Sequence, residues 1–393
     1  MADIEKCFRQ IKVHPTDCDL QRIFWADPYG HANPFRLLTV TYGLNCSPYL
    51  TIKVLRTLAK QEEEAFPLAA NIVRESFYMD DCLHGAHSVE DAVQLQDQLQ
   101  NLLAKGGFNL RKWSSNSNEF LQAINTSSRN TEHCFDLNLD KETRALGVFW
   151  CQTTDTLPYK INVTPLSHTI TKRQQLSDVA RIYDLTCLLA PMVVTGKIIC
   201  QQLWLTGCNW DDAIPEPHQT NWCRFRNELK IIECIKIPRW ILHTAEAQLQ
   251  LHIFCDASIS AYAAAAYMRV TQIDKPAHVS LVMANTKIAP LKKVTVPCLE
   301  LNIVVLASKL AVKLLHVLKD VDLAWSDSKT ALAWIRSHSG GHKQYTANRI
   351  IKIQESTSIT SWRYEPTSTN PADVASRGFK GLLWWRGPPW LSI

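Results

Sequence analysis

The sequence predicts a multidomain α+β and α/β chain. An antiparallel sheet with helices on one face comes first, and a second part built on a mixed sheet follows. Three observations predict this. The 393 residues are enough for two or three domains with cores of their own. Hydrophobic residues at 46% and charged residues at 20% are globular values and exclude wholesale disorder. The apolar pattern switches repeatedly between short strand-like runs and helical stripes, and it restarts with a new strand near Leu249.

The elements follow in order. Residues 1–55 alternate short apolar runs with turn signals at Asp27-Pro28-Tyr29-Gly30 and Asn33-Pro34, which predicts hairpins, with a strand over Phe35–Tyr42. A helix is expected from Ser47-Pro48 to about Glu64. Phe77–Leu83 reads as a hairpin. Ser88 is positioned to cap a helix, with Asp91 three residues on and an apolar stripe of Ala92, Leu95, Leu99, Leu102 and Leu103 that Gly106-Gly107 ends. Phe108–Trp113 is a short strand, and the Ser/Asn-rich stretch 114–130 reads as a linker. Residues 145–245 hold mixed elements, one helix beginning near Pro191. Leu251–Cys255 is a strand ending at Asp256. Ala261–Val270 fits a helix by its alanines and a strand by its position. Pro297–Leu318 is apolar nearly all round, as in a buried helix. Asp322–Ser326 is a strand leading to Asp327 and a helix through Ile335. Asn370-Pro371 opens a last helix as cap and first residue.

Net charge is +5, which permits nucleic-acid binding without demanding it. Thirteen cysteines, odd in number and without Cys-x-x-Cys pairs, argue against a disulfide framework or structural zinc and for a reducing compartment. No apolar run has membrane-spanning length and no signal peptide opens the chain. The expected location is therefore intracellular and cytoplasmic, with no membrane partner. The abrupt ends, Asp3 close to Met1 and Trp390 close to Ile393, read as cuts through a longer protein.

Carboxylates carry the chemical signal. Asp80 and Asp81 lie side by side in the apolar hairpin Tyr78-Met79-Asp80-Asp81, and adjacent buried acids are costly unless a cation neutralises them. On its own the tetrapeptide reads equally as an exposed turn. Asp3 would complete a triad able to hold two Mg²⁺ for nucleotidyl transfer, although by default it is a solvated terminal residue. In the second part Asp256 and Asp327 end strands, Glu300 lies in the first turn of the buried helix, and Asp373 lies in the first turn of the last helix. These are the places where an α/β sheet gathers a ligand site. Four acids so placed suit two Mg²⁺, with Mn²⁺ an alternative. Taken singly, each reads more simply as a cap or dipole residue. Glu300 resists that reading, because an acid on an apolar helix needs a partner.

The runs Asp3-Ile4-Glu5-Lys6-Cys7-Phe8, Thr41-Tyr42-Gly43-Leu44-Asn45-Cys46-Ser47-Pro48, Tyr78-Met79-Asp80-Asp81 and Gly107-Phe108-Asn109-Leu110-Arg111-Lys112-Trp113 come first in the chain. Downstream stand Thr171-Lys172-Arg173, Trp210-Asp211-Asp212, Phe254-Cys255-Asp256-Ala257-Ser258, Leu299-Glu300-Leu301, Trp325-Ser326-Asp327-Ser328, Ala347-Asn348-Arg349 and Asn370-Pro371-Ala372-Asp373. In this order the set resembles the Pol polyprotein of BEL/Pao-type LTR retrotransposons, a region also labelled a Pao retrotransposon peptidase family. The resemblance covers essentially the whole chain. It implies a reverse transcriptase palm over 1–113 without its fingers, a thumb- or connection-like region over 114–248, an RNase H-like domain over 249–378 and a tail over 379–393 leading towards an integrase.

The resemblance also implies roles. Asp3, Asp80 and Asp81 would bind the polymerase metals. Phe8 would gate against the ribose 2′-OH, and Tyr42 and Gly43 would line the nucleotide pocket. Met79 would touch the primer end and Lys112 the triphosphate. Asp256, Glu300, Asp327 and Asp373 would be the RNase H acids. The implied partners are an RNA/DNA hybrid, primer-template, deoxynucleoside triphosphates and other Pol or Gag segments, with virus-like particles as one setting. Two features depart from the family. The fingers precede Asp3 in the family. The family's Phe-Asp-Pro-Leu-Gly-Leu reads Tyr183-Asp184-Leu185-Thr186-Cys187-Leu188 here, and losing Pro and Gly is expected to change that turn. No Asp-Thr-Gly or Asp-Ser-Gly is present, Asp155-Thr156-Leu157 being nearest, so an aspartic protease reading lacks its motif. Two readings follow: an RNA-directed DNA polymerase and RNase H fragment, with RNase H the stronger activity, or a catalytically inactive, co-opted nucleic-acid-binding remnant.

Overall fold

The computed structural model describes residues 1–124, 142–145, 147–161, 163, 165, 169–242, 244, 246–292, 294–318, 322–378 and 381–393. The chain divides into two compact units, Met1–Leu146 with Trp150–Asp155, and Gly147–Phe149 with Thr156–Ile393. The fold is mixed α+β with several sheets, the class the sequence predicts.

In the first unit the strand Ala2–Ile4 runs antiparallel between Asp81–Cys82 and Leu110–Arg111, and Phe77–Tyr78 completes the sheet beyond Asp81–Cys82. Ala2 and Ile4 are buried while Asp3 between them is only half-buried, the two-residue alternation of a strand with one face on a core. That core is closed by the helices Ser47–Gln61, Pro67–Glu75 and Val89–Lys105 through Leu55, Val73, Leu99 and Leu103. Ser88 caps the last of these, accepting from the Asp91 amide at 3.0 Å. Its end is a close approach: a Cβ on Gly106 would meet Leu58 at 2.6 Å.

Two expectations change here. The strand expected over Phe35–Tyr42 is instead Ala32–Arg36, paired antiparallel with Arg22–Ala26. That partner begins at Arg22, straight after a 3-10 turn over Cys18–Gln21, and beyond Arg36 the chain changes partner, Lys12 and Thr39 forming an isolated antiparallel bridge. The linker expected from residue 114 contains a helix, Asn118–Ala123, capped by Ser117 through the Phe120 amide at 3.2 Å. The Ser/Asn cluster is a cap signal, and Phe120 packs edge-on against Trp113 with ring centres 6.0 Å apart. Residues 125–130 of that stretch lie outside the described residues.

The second unit is built on a five-stranded mixed sheet. Its spatial order is Lys275–Ile288, Ala261–Gln272, Gln248–Ala257, Asp322–Ser326, Trp362–Tyr364. Neighbours among the first three strands are antiparallel, and the last two run parallel to Gln248–Ala257. Ala261–Gln272 is a strand because it is interior and covered on both faces. Ala264 and Ala266 face the core that holds Leu299, Ile303 and Val304 of the long helix Val296–Leu318. Ala263 and Ala265 face the opposite core with Ala372, Ala375 and Trp384. Small side chains on both faces let helices approach closely, and it is packing that selects the strand here.

Residues 156–248, the larger part of the connection-like region expected over 114–248, lie in this unit. Leu188 and Ala190 lie in the same core as Phe254 and Trp384, and Ala284 donates its amide to the Thr186 carbonyl at 2.9 Å. The stretch expected as a tail is also packed in. Trp384 and Leu391 are fully buried, and the Trp384 indole donates to the Leu188 carbonyl at 2.7 Å. Asp184 organises the turn before the helix Ala190–Gln202, accepting from the amides of Leu188 at 2.9 Å and Leu189 at 2.7 Å and from the Tyr159 hydroxyl at 3.0 Å. Cys187, where the sequence resemblance has a glycine, has a positive φ of 56°, a side chain in the left-handed conformation.

Candidate functional site

Two carboxylate groups stand out, one in each unit. In the first unit, Asp3 lies directly opposite Asp81 across the antiparallel pair, so their Cα atoms are about 4.5–5.5 Å apart. Asp80 sits in the two-residue turn between Tyr78 and Asp81, and its carbonyl accepts from the Ile4 amide at 2.9 Å. Met79 takes the first place of that turn with φ 57°, a conformation that ordinarily selects glycine, and one that holds the turn tight. The Lys112 ammonium lies 3.8 Å from Asp3 Oδ2. Beneath them the Cys7 thiol is pushed up to about 12 by burial and then by the charges of Asp80 and Asp3. The structure thus brings Asp3, Asp80, Asp81 and Lys112 together. Phe8 is buried and meets the exposed ring of Tyr42 edge-on at 5.0 Å. Gly43 follows with φ 87° and open space where a side chain would stand.

In the second unit, Asp256 lies near the end of its strand and is buried. Cys255 pairs with Ser326 across the parallel strands, so the next residue on each is an acid, Asp256 and Asp327. Burial, with the charges of Asp327 and Asp373, raises the Asp256 carboxyl to about 7, against the hydrogen bond from Ser376 and the charge of Arg377. Ser376 Oγ donates to Asp256 Oδ2 at 2.5 Å. Glu300 accepts from the Ser328 hydroxyl. Burial, and then the Asp327 charge, raises its carboxyl. Thr367 donates to Asp327 Oδ2 at 2.7 Å. Arg377 Nε lies 2.6 Å from Asp373 Oδ1. Asp327 is therefore close enough for its charge to reach both Asp256 and Glu300, and Asp373 for its charge to reach Asp256.

The simple capping explanations are answered residue by residue. The helix after Asp327 is capped by Ser328, which accepts from the Ala331 amide at 3.0 Å. The last helix is capped by Asn370 through the Ala372 amide at 3.0 Å, and Asn370 also donates to the Cys255 carbonyl at 3.0 Å, tying that helix to the Asp256 strand. Asp373 is in the first turn as expected. Glu300 is one residue past its first turn, because the helix begins at Val296.

The donor set, all carboxylate oxygen, has the chemistry of a hard divalent cation site. Asp256 and Glu300 are both displaced upward by burial and then by neighbouring negative charge, and Asp373 Oδ1 has the Arg377 cation beside it without an aligned hydrogen bond. A bound cation would relieve the repulsion among the acids. Among the described residues, however, no three His, Cys, Asp or Glu side chains converge on one ion position; Ser376, Ser328, Thr367 and Arg377 occupy the carboxylates instead. Sequence reasoning missed those four donors. Two were within reach, Ser328 as the residue after Asp327 and Ser376 at i+3 from Asp373 on the same helix.

Comparison with known proteins agrees with this architecture. Residues 171–328 match the family described as Pao retrotransposon-like RNaseH-like domain, a span that holds Asp256, Glu300 and Asp327. The fold is similar to that of a foamy viral protease-reverse transcriptase dRH solved in complex with double-stranded DNA, with a TM-score of 0.55 at 13% identity, over 93% of this chain and 56% of that one. A second structure, the foamy viral protease-reverse transcriptase in complex with double-stranded DNA, gives 0.48 at 13% identity, over 93% and 67%. The chain thus spans little more than half of the first of these. No curated protein matches it. The resemblance to Pao-type retroelement Pol proteins read from the sequence is borne out by the family match and the fold.

Proposed function

We propose that the second unit is a two-metal nuclease that hydrolyses the RNA strand of an RNA/DNA hybrid, with Asp256, Glu300, Asp327 and Asp373 holding Mg²⁺. The observation that carries this reading is the gathering of four acids at one end of the mixed sheet while other residues do the capping. Bound Mg²⁺ would activate water and neutralise charge on the scissile phosphate. The chain's own part is to orient the acids. Ser376, Ser328 and Thr367 each hold one oxygen of a carboxylate, leaving its second oxygen for the ion. Arg377 screens Asp373.

In the first unit we propose a second reaction, template-directed addition of deoxynucleotides to a primer. Asp3, Asp80 and Asp81 would hold the metals, Lys112 would meet the triphosphate, Met79 would touch the primer end, and Phe8 with Tyr42 and Gly43 would shape the sugar pocket. The Phe8–Tyr42 contact and the open space at Gly43 support that pocket. Among the described residues no helix is long and apolar enough to cross a membrane.

The alternative, a nucleic-acid-binding remnant without turnover, is favoured by one observation: the carboxylates do not converge on one ion position. One assay separates the two. With Mg²⁺ and a labelled hybrid, the wild-type chain is expected to cleave the RNA strand, and Asp327→Asn to lower the rate about 100-fold or more, the equivalent of several kcal/mol of charge stabilisation. Undiminished cleavage by Asp327→Asn would remove Asp327 from the site, and no cleavage by folded wild type would favour the remnant.

A further inference from the structure

The run Trp384-Trp385-Arg386-Gly387-Pro388-Pro389-Trp390-Leu391 belongs to neither acid set, yet it packs beside one of them. The short helix Leu383–Arg386 ends at Gly387, whose φ of 66° turns the chain back across the sheet. Tyr267 donates to the Trp384 carbonyl at 2.6 Å. Arg269 holds the returning segment, its Nε donating to the Leu391 carbonyl at 2.9 Å. The Trp390 ring then lies 4.8 Å from Trp325, 5.9 Å from His252 and 6.2 Å from Phe254, centre to centre.

The sheet register sets this aromatic layer next to the acids. Phe254 and Trp325 are partners on neighbouring strands. Asp256 and Asp327 follow two residues further on, so they share that sheet face, about 7 Å along. The third parallel strand completes the row. Ser326 pairs with Tyr364, and the Glu365 amide donates to the Ser326 carbonyl at 3.1 Å, so Glu365 follows Tyr364 as Asp327 follows Ser326. Glu365 is 3% exposed, and its Oε1 accepts from the Trp390 indole at 3.1 Å. A buried carboxyl oxygen is costly to leave unpaired, which makes this bond hard to give up. Glu365 also opens the loop that carries Thr367, the donor to Asp327 Oδ2 at 2.7 Å. The far end of that loop is fixed by Asn370, which donates to the Cys255 carbonyl at 3.0 Å. Its near end is fixed by Trp390. Between the two, the Thr369 amide donates to the Pro366 carbonyl at 3.0 Å and the Asn370 amide to the Thr367 carbonyl at 3.3 Å.

We propose that Trp390 and Glu365 are positioning residues for the carboxylate site. Their hydrogen bond latches the loop that sets Thr367 on Asp327, and so fixes which Asp327 oxygen is left for the metal. The proposal rests on the nuclease reading for its metal, and it is tested without turnover. Two quantities are measured on the whole chain: binding of Mn²⁺, from the electron paramagnetic resonance of the free ion, and deuterium exchange of the backbone amides of residues 365–370 in EDTA. Four proteins are compared. Wild type is the reference. Trp390→Phe keeps a ring and loses the N–H. Glu365→Gln keeps an acceptor oxygen. Trp384→Phe loses the indole bond to the Leu188 carbonyl at 2.7 Å, in the same segment but without a link to the loop. In Trp390→Phe the loop amides should exchange about 10-fold faster. Mn²⁺ should bind it about 10-fold more weakly, the low end of what residues that orient metal ligands contribute. Glu365→Gln and Trp384→Phe should stay close to wild type in both.

Unchanged exchange in Trp390→Phe overturns the proposal, as does an equal change in Trp384→Phe, which would mean general loosening of the segment. Glu365→Gln that loses Mn²⁺ while its loop exchanges as in wild type would make Glu365 a fifth ligand and overturns it too. Mn²⁺ binding by wild type that is unchanged in Trp390→Phe defeats this inference alone. Wild type that takes up no Mn²⁺ defeats the nuclease reading, and the exchange comparison then decides the latch by itself.

Discussion

At the residue scale the decisive quantity is the charge packed around Asp256. Burial and the neighbouring charges of Asp327 and Asp373 raise its carboxyl to about 7 in the metal-free chain, against roughly 3.9 for an unfolded Asp. Between those values the folded chain keeps a proton that the unfolded chain has lost. Stability should therefore fall as pH rises from about 4 to about 7, then level off. Asp256→Asn carries no such charge. In EDTA at pH 8 it should melt at least roughly 2–4 °C above wild type, and the gap should vanish near pH 4. Thermal melts of both proteins across this range check it; parallel pH profiles would contradict the account. A second residue shows what the sequence concealed. Asp178 is fully buried, with Arg226 Nη1 at 2.5 Å. Nothing in the spacing of residues 48 apart announces a buried pair. Removing one partner leaves an uncompensated charge, so Asp178→Ala should cost about 3–5 kcal/mol, measured by urea unfolding. A loss under 1 kcal/mol would mean the pair is solvated.

At the element scale, helices with polar caps and apolar stripes were legible. Ser88 and Asn370 cap where the sequence places them, because a cap is a local event between residues two or three apart. Elements settled by distant packing were not. The alanine-rich strand 261–272 carries no period of its own, and only the cores on its two faces show that it is a strand. Ala265 is fully buried there, so Ala265→Leu should overpack the sheet and cost about 1–3 kcal/mol or more. The turn before Ala190–Gln202 makes the opposite prediction. Cys187 holds φ 56°, a conformation that costs a side-chain-bearing residue about 1–2 kcal/mol. Cys187→Gly should therefore raise stability by about 1 kcal/mol, less whatever its partial packing against the core contributes. Denaturant midpoints report both changes, and a destabilised Cys187→Gly would show that the thiol's packing outweighs the strain.

At the scale of the whole molecule, the order of motifs predicted the order of folds, while the boundaries were hidden. The sequence carries no mark at residue 248 or 379 saying whether the chain leaves or stays. The structure keeps Leu188 and Trp384 in one core with Phe254, a contact between residues far apart in sequence that composition cannot reveal. The same holds for the site. The acids were legible as residue types at strand ends and helix starts, and the serine, threonine and arginine side chains that hold them were not. The central claim is that Asp256, Glu300, Asp327 and Asp373 work as one site. The direct test is the Mg²⁺-dependent cleavage rate of the RNA strand in a labelled hybrid, for Asp256→Asn, Asp327→Asn and the double variant. Groups acting as a unit lose function together. The account predicts that each single change lowers the rate about 100-fold or more and that the double variant is no slower than the worse single. Rates that fall independently and multiply, or a single variant that cleaves as wild type does, would contradict it.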